Sequence, residues 1–171
     1  MKRTAFRRPI VAAIAGLLAF AFPTGTVFAH EAPCAFCKRD IVQDTKQADN
    51  ETALRFGRKR IEYRSVFCAL SDAQNAKAFA SGTVTILAPS EKKGLPIPVT
   101  RTSGGKWSVP DNTVFLGAEK VNHATCAGTY RAFTSRAALD AYVKTNAKSI
   151  SPDAKPLTFA ELLVQTKGAG K

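Results

Sequence analysis

Residues 53–68 read ALRFGRKRIEYRSVFC, and this stretch decides the fold. Apolar and polar residues alternate over 53–56 and again over 60–64, on either side of Gly57. Alternation of this kind around a turn residue is typical of two antiparallel strands joined as a hairpin. The predicted hairpin leads directly into Val66, Phe67 and Cys68.

A helix is predicted after this hairpin. Seven apolar residues recur mostly three and four positions apart among strong helix formers, namely Val66, Phe67, Leu70, Ala73, Ala76, Ala78 and Phe79. This spacing places them on one helix face, and the helix is expected to end near Ser81-Gly82. The β-rich run 84–87, closed by Pro89, completes a strand-strand-helix-strand unit.

The same order of elements returns further along the chain. A second hairpin is predicted around 103–105, followed by strands at 114–116 and 129–133 and a helix at about 135–146. Tyr130-Arg131-Ala132 precedes this helix much as Tyr63-Arg64-Ser65 precedes the first, which suggests an internal duplication. Thr158 and Glu161 have the spacing of a capping box and predict a short final helix.

These elements predict an α+β fold made of two small strand-strand-helix-strand units, forming one compact domain or a tandem pair. The expected divisions are a leader at 1–29, an N-terminal cysteine-bearing unit at 30–90, a connector or hairpin at 91–112, a C-terminal unit at 113–166 and a flexible tail at 167–171. Without the leader about 142 residues remain, enough for one domain with a moderate core.

The N-terminus predicts export. Lys2, Arg3, Arg7 and Arg8 precede an apolar run at 10–22, and Val27-Phe28-Ala29 supplies a cleavage site. This is the pattern of a signal peptide cleaved after Ala29, and it predicts a periplasmic or secreted protein. The apolar run is shorter than the roughly 20 residues of a membrane span, so we expect no integral membrane segment.

The chain is strongly basic. It has 25 basic and 13 acidic residues, which gives a formal net charge of +12. Because four of the basic residues and none of the acidic ones lie in the leader, the remainder carries +8. The basic residues are spread over several short runs without interleaved aromatic residues, so we expect no nucleic-acid binding. The charge instead suggests an acidic neighbour.

The four cysteines, Cys34, Cys37, Cys68 and Cys126, all follow the leader. Cys34 and Cys37 form a Cys-x-x-Cys pair, which on a tight turn directs two thiolates toward one point. Cys68 lies where the first helix is predicted to begin, and a helix N-terminus favours the thiolate form. The three sulfurs would form a soft site suited to copper(I), with zinc as the alternative.

Two other interpretations of the cysteines remain open. In an oxidising compartment the four can form two structural disulfides, with three possible pairings, and make a disulfide-stapled interaction module. Cys34-Ala-Phe-Cys37 also resembles the active-site turn of a thiol-disulfide oxidoreductase. That fold requires a strand before the motif to present it at a helix start, and only four residues precede Cys34 after cleavage.

Three further residues are candidate ligands. His123 and Cys126 have the spacing His-x-x-Cys in a predicted loop, where they can form a second ligand pair or join the first site. His30 becomes the first residue after cleavage, and its amine and imidazole together can chelate copper(II). The sequence has no nucleophile-elbow serine and no glycine-rich phosphate loop after a strand, so it predicts a binding protein that requires no catalysis.

Two stretches resemble known proteins. Cys34-x-x-Cys37 followed by Ile61-Glu-Tyr-Arg-Ser-Val-Phe-Cys68 is similar to metal-trafficking modules of the treble-clef type. The second stretch resembles the nitrous oxide reductase accessory protein family, and it runs from Val114-Phe-Leu through His123-Ala-Thr-Cys126-Ala-Gly-Thr-Tyr130-Arg-Ala-Phe133. The resemblance covers about residues 32–165.

That family consists of exported copper-binding proteins. The resemblance implies paired strand-strand-helix-strand units, copper(I) binding and delivery of the metal to a partner enzyme. Family members commonly carry a lipid anchor and use methionine near the second-half loop, whereas residues 30–171 contain no methionine. His123 and Cys126 would have to replace it, which copper(I) chemistry allows. We therefore expect a metal carrier that uses Cys34, Cys37 and Cys68, with a metal-accepting periplasmic protein as its partner.

Overall fold

The computed structural model of the protein describes residues 31–42, 51–117, 130–148 and 150–167. Over these residues the strands form three antiparallel sheets, which with the helices confirm the predicted α+β class. The elements in chain order are β1 (Glu31–Pro33), β2 (Asp40–Val42), β3 (Thr52–Phe56), β4 (Lys59–Tyr63), α1 (Val66–Ser71), α2 (Ala76–Ser81), β5 (Val84–Ala88), β6 (Ile97–Arg101), β7 (Trp107–Ser108), β8 (Val114–Gly117), β9 (Tyr130–Phe133), α3 (Arg136–Thr145), β10 (Pro156–Leu157) and α4 (Phe159–Thr166).

The hairpin of β3 and β4 confirms the prediction made from residues 53–68. Phe56 pairs with Lys59, which leaves Gly57 and Arg58 as a two-residue loop. Gly57 has a φ of +55°, and glycine is the residue that adopts such a conformation most readily at the first position of a tight hairpin loop. The loop length then fixes the register of the two strands.

The hairpin is part of a five-stranded sheet with the order β4-β3-β5-β6-β7. Leu54 pairs with Ile86, and Ile86 pairs with Val99. All three side chains are fully buried, whereas Arg55 on the adjacent row is exposed. Because successive strand residues point to opposite faces, this sheet has one side toward the core and one toward solvent.

After β4 the chain continues as two short helices, where the sequence predicted one helix ending near residue 81. Helix α1 ends at Ser71, and a 3-10 turn at Ala73–Asn75 precedes α2. Asp72 separates them with an extended backbone, and its carboxylate accepts a hydrogen bond from the backbone N–H of Gln74 at 2.9 Å. A side chain that caps a new turn in this way competes with continuation of the helix.

The second sheet has the strand order β10-β8-β9 and is covered on both faces. Phe115 and Ala132 join the main hydrophobic cluster, which also contains the buried residues of the first sheet. Leu116 and Phe133 belong to a second cluster that includes Leu139 of α3. Burial of both faces explains why the run at the start of β8 is continuously apolar.

The two sheets are joined along the segment that follows β5. The backbone N–H of Ala132 donates to the carbonyl of Pro89 at 3.1 Å. Arg131 Nη1 donates to the carbonyl of Ser90 at 2.6 Å. Since the two predicted units share one hydrophobic cluster as well as these hydrogen bonds, the structure favours one compact domain over a tandem pair.

Trp107 lies over the core from the second predicted hairpin. Its ring meets Phe79 at 5.4 Å and Phe159 at 5.7 Å, both in edge-to-face geometry. The pairing of β6 with β7 confirms this hairpin. Strand β6 begins at Ile97, within the stretch 91–112 that the sequence assigned to a connector or hairpin.

Helix α4 begins with the capping box that the sequence predicted. Thr158 Oγ1 accepts a hydrogen bond from the backbone N–H of Glu161 at 3.2 Å, and Glu161 Oε2 accepts one from the backbone N–H of Thr158 at 2.7 Å. The hydrogen bonds from Thr158 lower the pKa of Glu161 below its ordinary value, because they favour the charged carboxylate. The helix then delivers the fully buried Leu162 to the core beside α1.

The secondary-structure elements are short, and three of the strands were not predicted. Strands β1, β2 and β10 have two or three residues each, too few for an alternating pattern to be recognised. Among the helices of the described segments, none has the length and apolar character needed to cross a membrane.

Truncation of Phe115 should show that the two sheets share a core. Phe115 is fully buried and its ring lies 5.8 Å from that of Phe159. We expect Phe115→Ala to lower the free energy of unfolding by about 3–5 kcal/mol, because it leaves a cavity between the sheets. Urea unfolding measures the change. Val164→Ala, at a side chain that is 69% exposed, is the control and should cost less than about 0.5 kcal/mol. Similar losses in both variants would contradict the shared core.

Candidate metal centre

Cys34 and Cys37 lie in the loop between β1 and β2. The backbone N–H of Cys34 donates to the carbonyl of Arg39 at 2.8 Å, and the N–H of Lys38 donates to the carbonyl of Cys34 at 3.0 Å. Lys38 has a φ of +62°, in the left-handed region that is uncommon for a residue with a side chain. The loop is therefore closed by its own backbone, which fixes Cys34 and Cys37 relative to each other.

This loop is docked against the end of β4. The backbone N–H of Ala35 donates to the carbonyl of Glu62 at 3.4 Å. Arg64 Nη1 donates to the carbonyl of Asp40 at 2.6 Å. Strand β4 lies at the edge of its sheet, so its outward backbone groups are available for such contacts. Docking brings the cysteine loop to the point where α1 begins.

The three sulfur atoms converge at this point. The Sγ atoms of Cys34, Cys37 and Cys68 all lie within 4.8 Å of one another, and those of Cys37 and Cys68 are 3.9 Å apart. Sulfurs that bind one ion at about 2.3 Å are separated by about 3.8 Å in tetrahedral and about 4.0 Å in trigonal geometry. The spacing therefore fits a single shared metal ion. The 3.9 Å between the sulfurs of Cys37 and Cys68 is too long for a disulfide bond.

The cysteine cluster is shielded from solvent. Cys34 and Cys68 are fully buried, and Cys37 is 5% exposed. All three belong to the main hydrophobic cluster. Of the described residues, these three form a group of cysteine, histidine or acidic side chains arranged to hold a metal ion. Free buried cysteines are also common as small apolar residues, so the convergence of three sulfurs, rather than their burial, indicates a metal site.

Two hydrogen-bond donors point at the sulfurs. The backbone N–H of Arg64 lies 3.3 Å from Cys34 Sγ. The hydroxyl of Ser65 lies 3.4 Å from Cys68 Sγ. Donors of this kind orient a sulfur ligand and complement the negative charge of a metal-bound thiolate. The thiolate is the form that binds metal ions. The buried guanidinium of Arg64, held against the cysteine loop, adds a positive charge to the same region.

Tyr63 anchors a buried polar network next to these donors. Its hydroxyl donates to Asp72 Oδ2 at 2.9 Å and accepts a hydrogen bond from Asn75 Nδ2 at 2.9 Å. Asn75 Nδ2 also donates to the carbonyl of Ala69 in α1 at 2.8 Å. Burial raises the pKa of Tyr63 well above its ordinary value of 10.0, and the neighbouring Asp72 raises it further. The phenol therefore stays neutral, and the network ties the end of β4 to α1 and the following turn.

The structure brings together Cys34, Cys37 and Cys68, the three ligands that the sequence placed first. His30, His123 and Cys126 lie outside the described residues, so their roles as ligands stay predictions. A strand, β1, does precede the Cys-x-x-Cys pair. The pair is followed by β2 and not by a helix, which differs from the arrangement expected for a thioredoxin-like active site.

The groups that surround the sulfurs were not predicted from the sequence. Tyr63 is buried at the end of β4, and no sequence pattern indicates the network that its hydroxyl makes. The capping role of Ser65 could have been recognised, because serine directly before the first residue of a helix is a preferred N-cap. The contact from Arg64 involves the backbone and depends on docking of a distant loop, so no local pattern could reveal it.

Comparison with known proteins adds one distant likeness. No protein-family model matches the chain, and no curated protein matches it. Among solved structures, the crystal structure of the mercury-bound form of MerB2 is similar, with a TM-score of 0.48 and 17% sequence identity. The alignment covers 80% of this chain and 64% of that chain, so this chain spans less than two thirds of the length of MerB2.

Removal of the Tyr63 hydroxyl should destabilise the protein through this network. We expect Tyr63→Phe to lower the free energy of unfolding by about 1–3 kcal/mol, because a hydrogen bond to the buried carboxylate of Asp72 is lost. Tyr130→Phe is a matched control, since that hydroxyl donates to Gln165 on the exposed surface at 3.0 Å, and it should cost less than about 0.5 kcal/mol. Chemical denaturation of the metal-free protein compares the two. An equally small effect of Tyr63→Phe would show that the network contributes little to stability.

Proposed function

We propose that this protein is an exported metal carrier that binds copper(I) through Cys34, Cys37 and Cys68 and delivers it to a periplasmic partner. The observation that carries the proposal is the convergence of three buried sulfurs within 4.8 Å of one another. The resemblance to the nitrous oxide reductase accessory protein family and the features of a signal peptide at residues 1–29 support the same function.

Copper(I) suits the donor set better than zinc does. Thiolates are soft ligands that bind both copper(I) and zinc, but structural zinc sites almost always have four protein ligands. Within the described residues the cluster offers three sulfur ligands in a site shielded from water. Three sulfurs complete a trigonal site for copper(I), while zinc would require a fourth ligand, for which His123 and Cys126 are the candidates.

The proposed role is binding and transfer without catalysis. A carrier must hold its ion tightly and release it to another protein, so the partner is expected to offer soft ligands of its own. The partner is proposed to dock by charge. Arg58 and Lys59 are exposed at the tip of the β3–β4 hairpin, and Lys59 lies about 10 Å along β4 from Glu62, where the cysteine loop is docked. An acidic acceptor surface would be attracted to this side of the molecule.

Metal content after native export tests the proposed function. The protein, purified from the periplasm without chelators, is expected to contain about one copper ion per chain, because three thiolates converge on one point. The double variant Cys34→Ser/Cys37→Ser should lose the copper, since only one of the three converging sulfurs remains. Elemental analysis and a count of free thiols on the same samples provide the measurement.

Cys126→Ser is the control for this experiment. If the three-sulfur set is sufficient, this variant keeps its copper. Loss of copper in Cys126→Ser as well would mean that the site extends into residues 118–129. A wild-type protein that contains no metal and has all four cysteines oxidised would contradict the carrier function and support a disulfide-stapled module or a thiol-disulfide oxidoreductase.

Charge-guided docking predicts different behaviour toward anionic and neutral acceptors. The rate of copper(I) removal by a sulfonated, anionic chelator should fall severalfold as ionic strength rises, and also in Arg58→Gln/Lys59→Gln, because both changes weaken attraction to the basic hairpin. Lys144→Gln/Lys148→Gln, at exposed positions of the second unit, is the control of equal charge. The rate of copper(I) removal by an uncharged chelator should not change in either double variant. Equal rates for both double variants with the anionic chelator would refute docking at the hairpin.

A further inference from the structure

Ser65 makes two hydrogen bonds at the junction of β4 and α1. As the N-cap residue of α1, its Oγ accepts the backbone N–H of Cys68 at 3.3 Å. The same hydroxyl lies 3.4 Å from Cys68 Sγ as a donor. A serine hydroxyl has one proton and two acceptor lone pairs, so capping uses a lone pair and leaves the proton for the sulfur. Ser65 is fully buried, and water therefore does not compete for that proton.

The second half of the protein repeats this junction without a sulfur. Ser135 is the N-cap of α3, with φ −164° and ψ 167°, close to the φ −156° and ψ 163° of Ser65. Its side chain accepts the backbone N–H of Ala138 at 3.1 Å. The residue three positions after the serine is thus Cys68 in the first unit and Ala138 in the second. Capping is common to both junctions, and the O–H to sulfur contact is specific to the metal centre.

We propose that Ser65 is a positioning residue of the metal centre. Its hydroxyl donates a hydrogen bond to the Cys68 thiolate and orients that sulfur toward the shared ion. This inference rests on the proposed metal-binding function and adds to it a determinant of affinity. The backbone N–H of Arg64 makes the corresponding contact with Cys34. Because a side chain can be replaced and a backbone N–H cannot, Ser65 is the donor that substitution can test.

The hydrogen bond should have two measurable effects on bound metal. Groups that orient a metal ligand from outside typically change metal affinity by about 10–100-fold when they are removed. A donor also stabilises the lone pairs of the sulfur, so more energy is needed to transfer an electron from sulfur to metal. Loss of the donor therefore shifts the sulfur-to-metal charge-transfer absorption to longer wavelength. Loss of a helix cap alone would not produce this spectral shift.

The experiment compares Ser65→Ala and Ser65→Gly with Ser135→Ala. Copper(I) is the probe, and its affinity for the full mature chain is measured by competition with a colorimetric chelator, together with the ultraviolet charge-transfer band. Both Ser65 variants are expected to bind copper(I) about 10–100-fold more weakly and to absorb at longer wavelength. Ser135→Ala removes an equivalent cap and should leave affinity and band unchanged. Ser65→Gly removes the same hydroxyl with little loss of stability, because glycine is well tolerated at N-caps. It therefore controls for misfolding of Ser65→Ala.

The outcomes separate this inference from the proposed function. Wild-type affinity and an unshifted band in Ser65→Ala or Ser65→Gly would overturn the role of Ser65 while leaving the copper site intact. An equal loss of affinity in Ser135→Ala would assign the effect to helix capping and overturn it as well. If the wild-type chain itself bound no copper(I), the proposed function would fail and the inference would fall with it.

Discussion

The chain leaves β4 and enters α1 at Ser65, and the direction of this turn determines where the groups on either side of it point. Tyr63, the last residue of β4, reaches the buried Asp72 and Asn75. The backbone N–H of Arg64 faces Cys34 Sγ. Cys68 lies in the first turn of α1, one hydrogen bond from the Ser65 cap. The geometry of the cysteine cluster therefore depends on the backbone turn that the Ser65 N-cap stabilises.

The repetition of this junction shows how one architecture supports different chemistry. Residues 63–65 and 133–135 occupy equivalent places, with a buried aromatic residue ending a strand and a serine beginning a helix. Side-chain similarity relates Tyr63-Arg64-Ser65 to Tyr130-Arg131-Ala132, three positions earlier than the correspondence that the N-caps Ser65 and Ser135 define. In the second unit, the ring of Phe133 lies 5.1 Å from that of Tyr142 in a tilted arrangement, whereas Tyr63 at the equivalent place makes a polar network. The hydroxyl of Tyr63 and the sulfur of Cys68 distinguish the first unit from the second.

Alternation and helical spacing were sufficient to predict the longer elements, because these patterns extend over several residues. They failed at Asp72, where a single side-chain cap interrupts an otherwise continuous helical pattern. They also failed at β1, β2 and β10, which exist because neighbouring segments pair with them. In the site, convergence of Cys34, Cys37 and Cys68 was predictable from a turn and a helix start. The donors around the sulfurs were not, since the contact between Arg64 and Cys34 joins residues 30 positions apart. The roles of His30, His123 and Cys126 and the family resemblance remain predictions.

Burial of the cysteine cluster has a further chemical consequence. Oxidation of a thiol requires that the oxidant or another disulfide reach its sulfur, and susceptibility therefore follows exposure. With Cys34 and Cys68 fully buried and Cys37 only 5% exposed, peroxides and small disulfides have little access to the three sulfurs. The hydrophobic core then acts as a chemical shield that slows oxidative loss of the thiols, a protection that reduced cysteines need if they are to persist outside the cytosol.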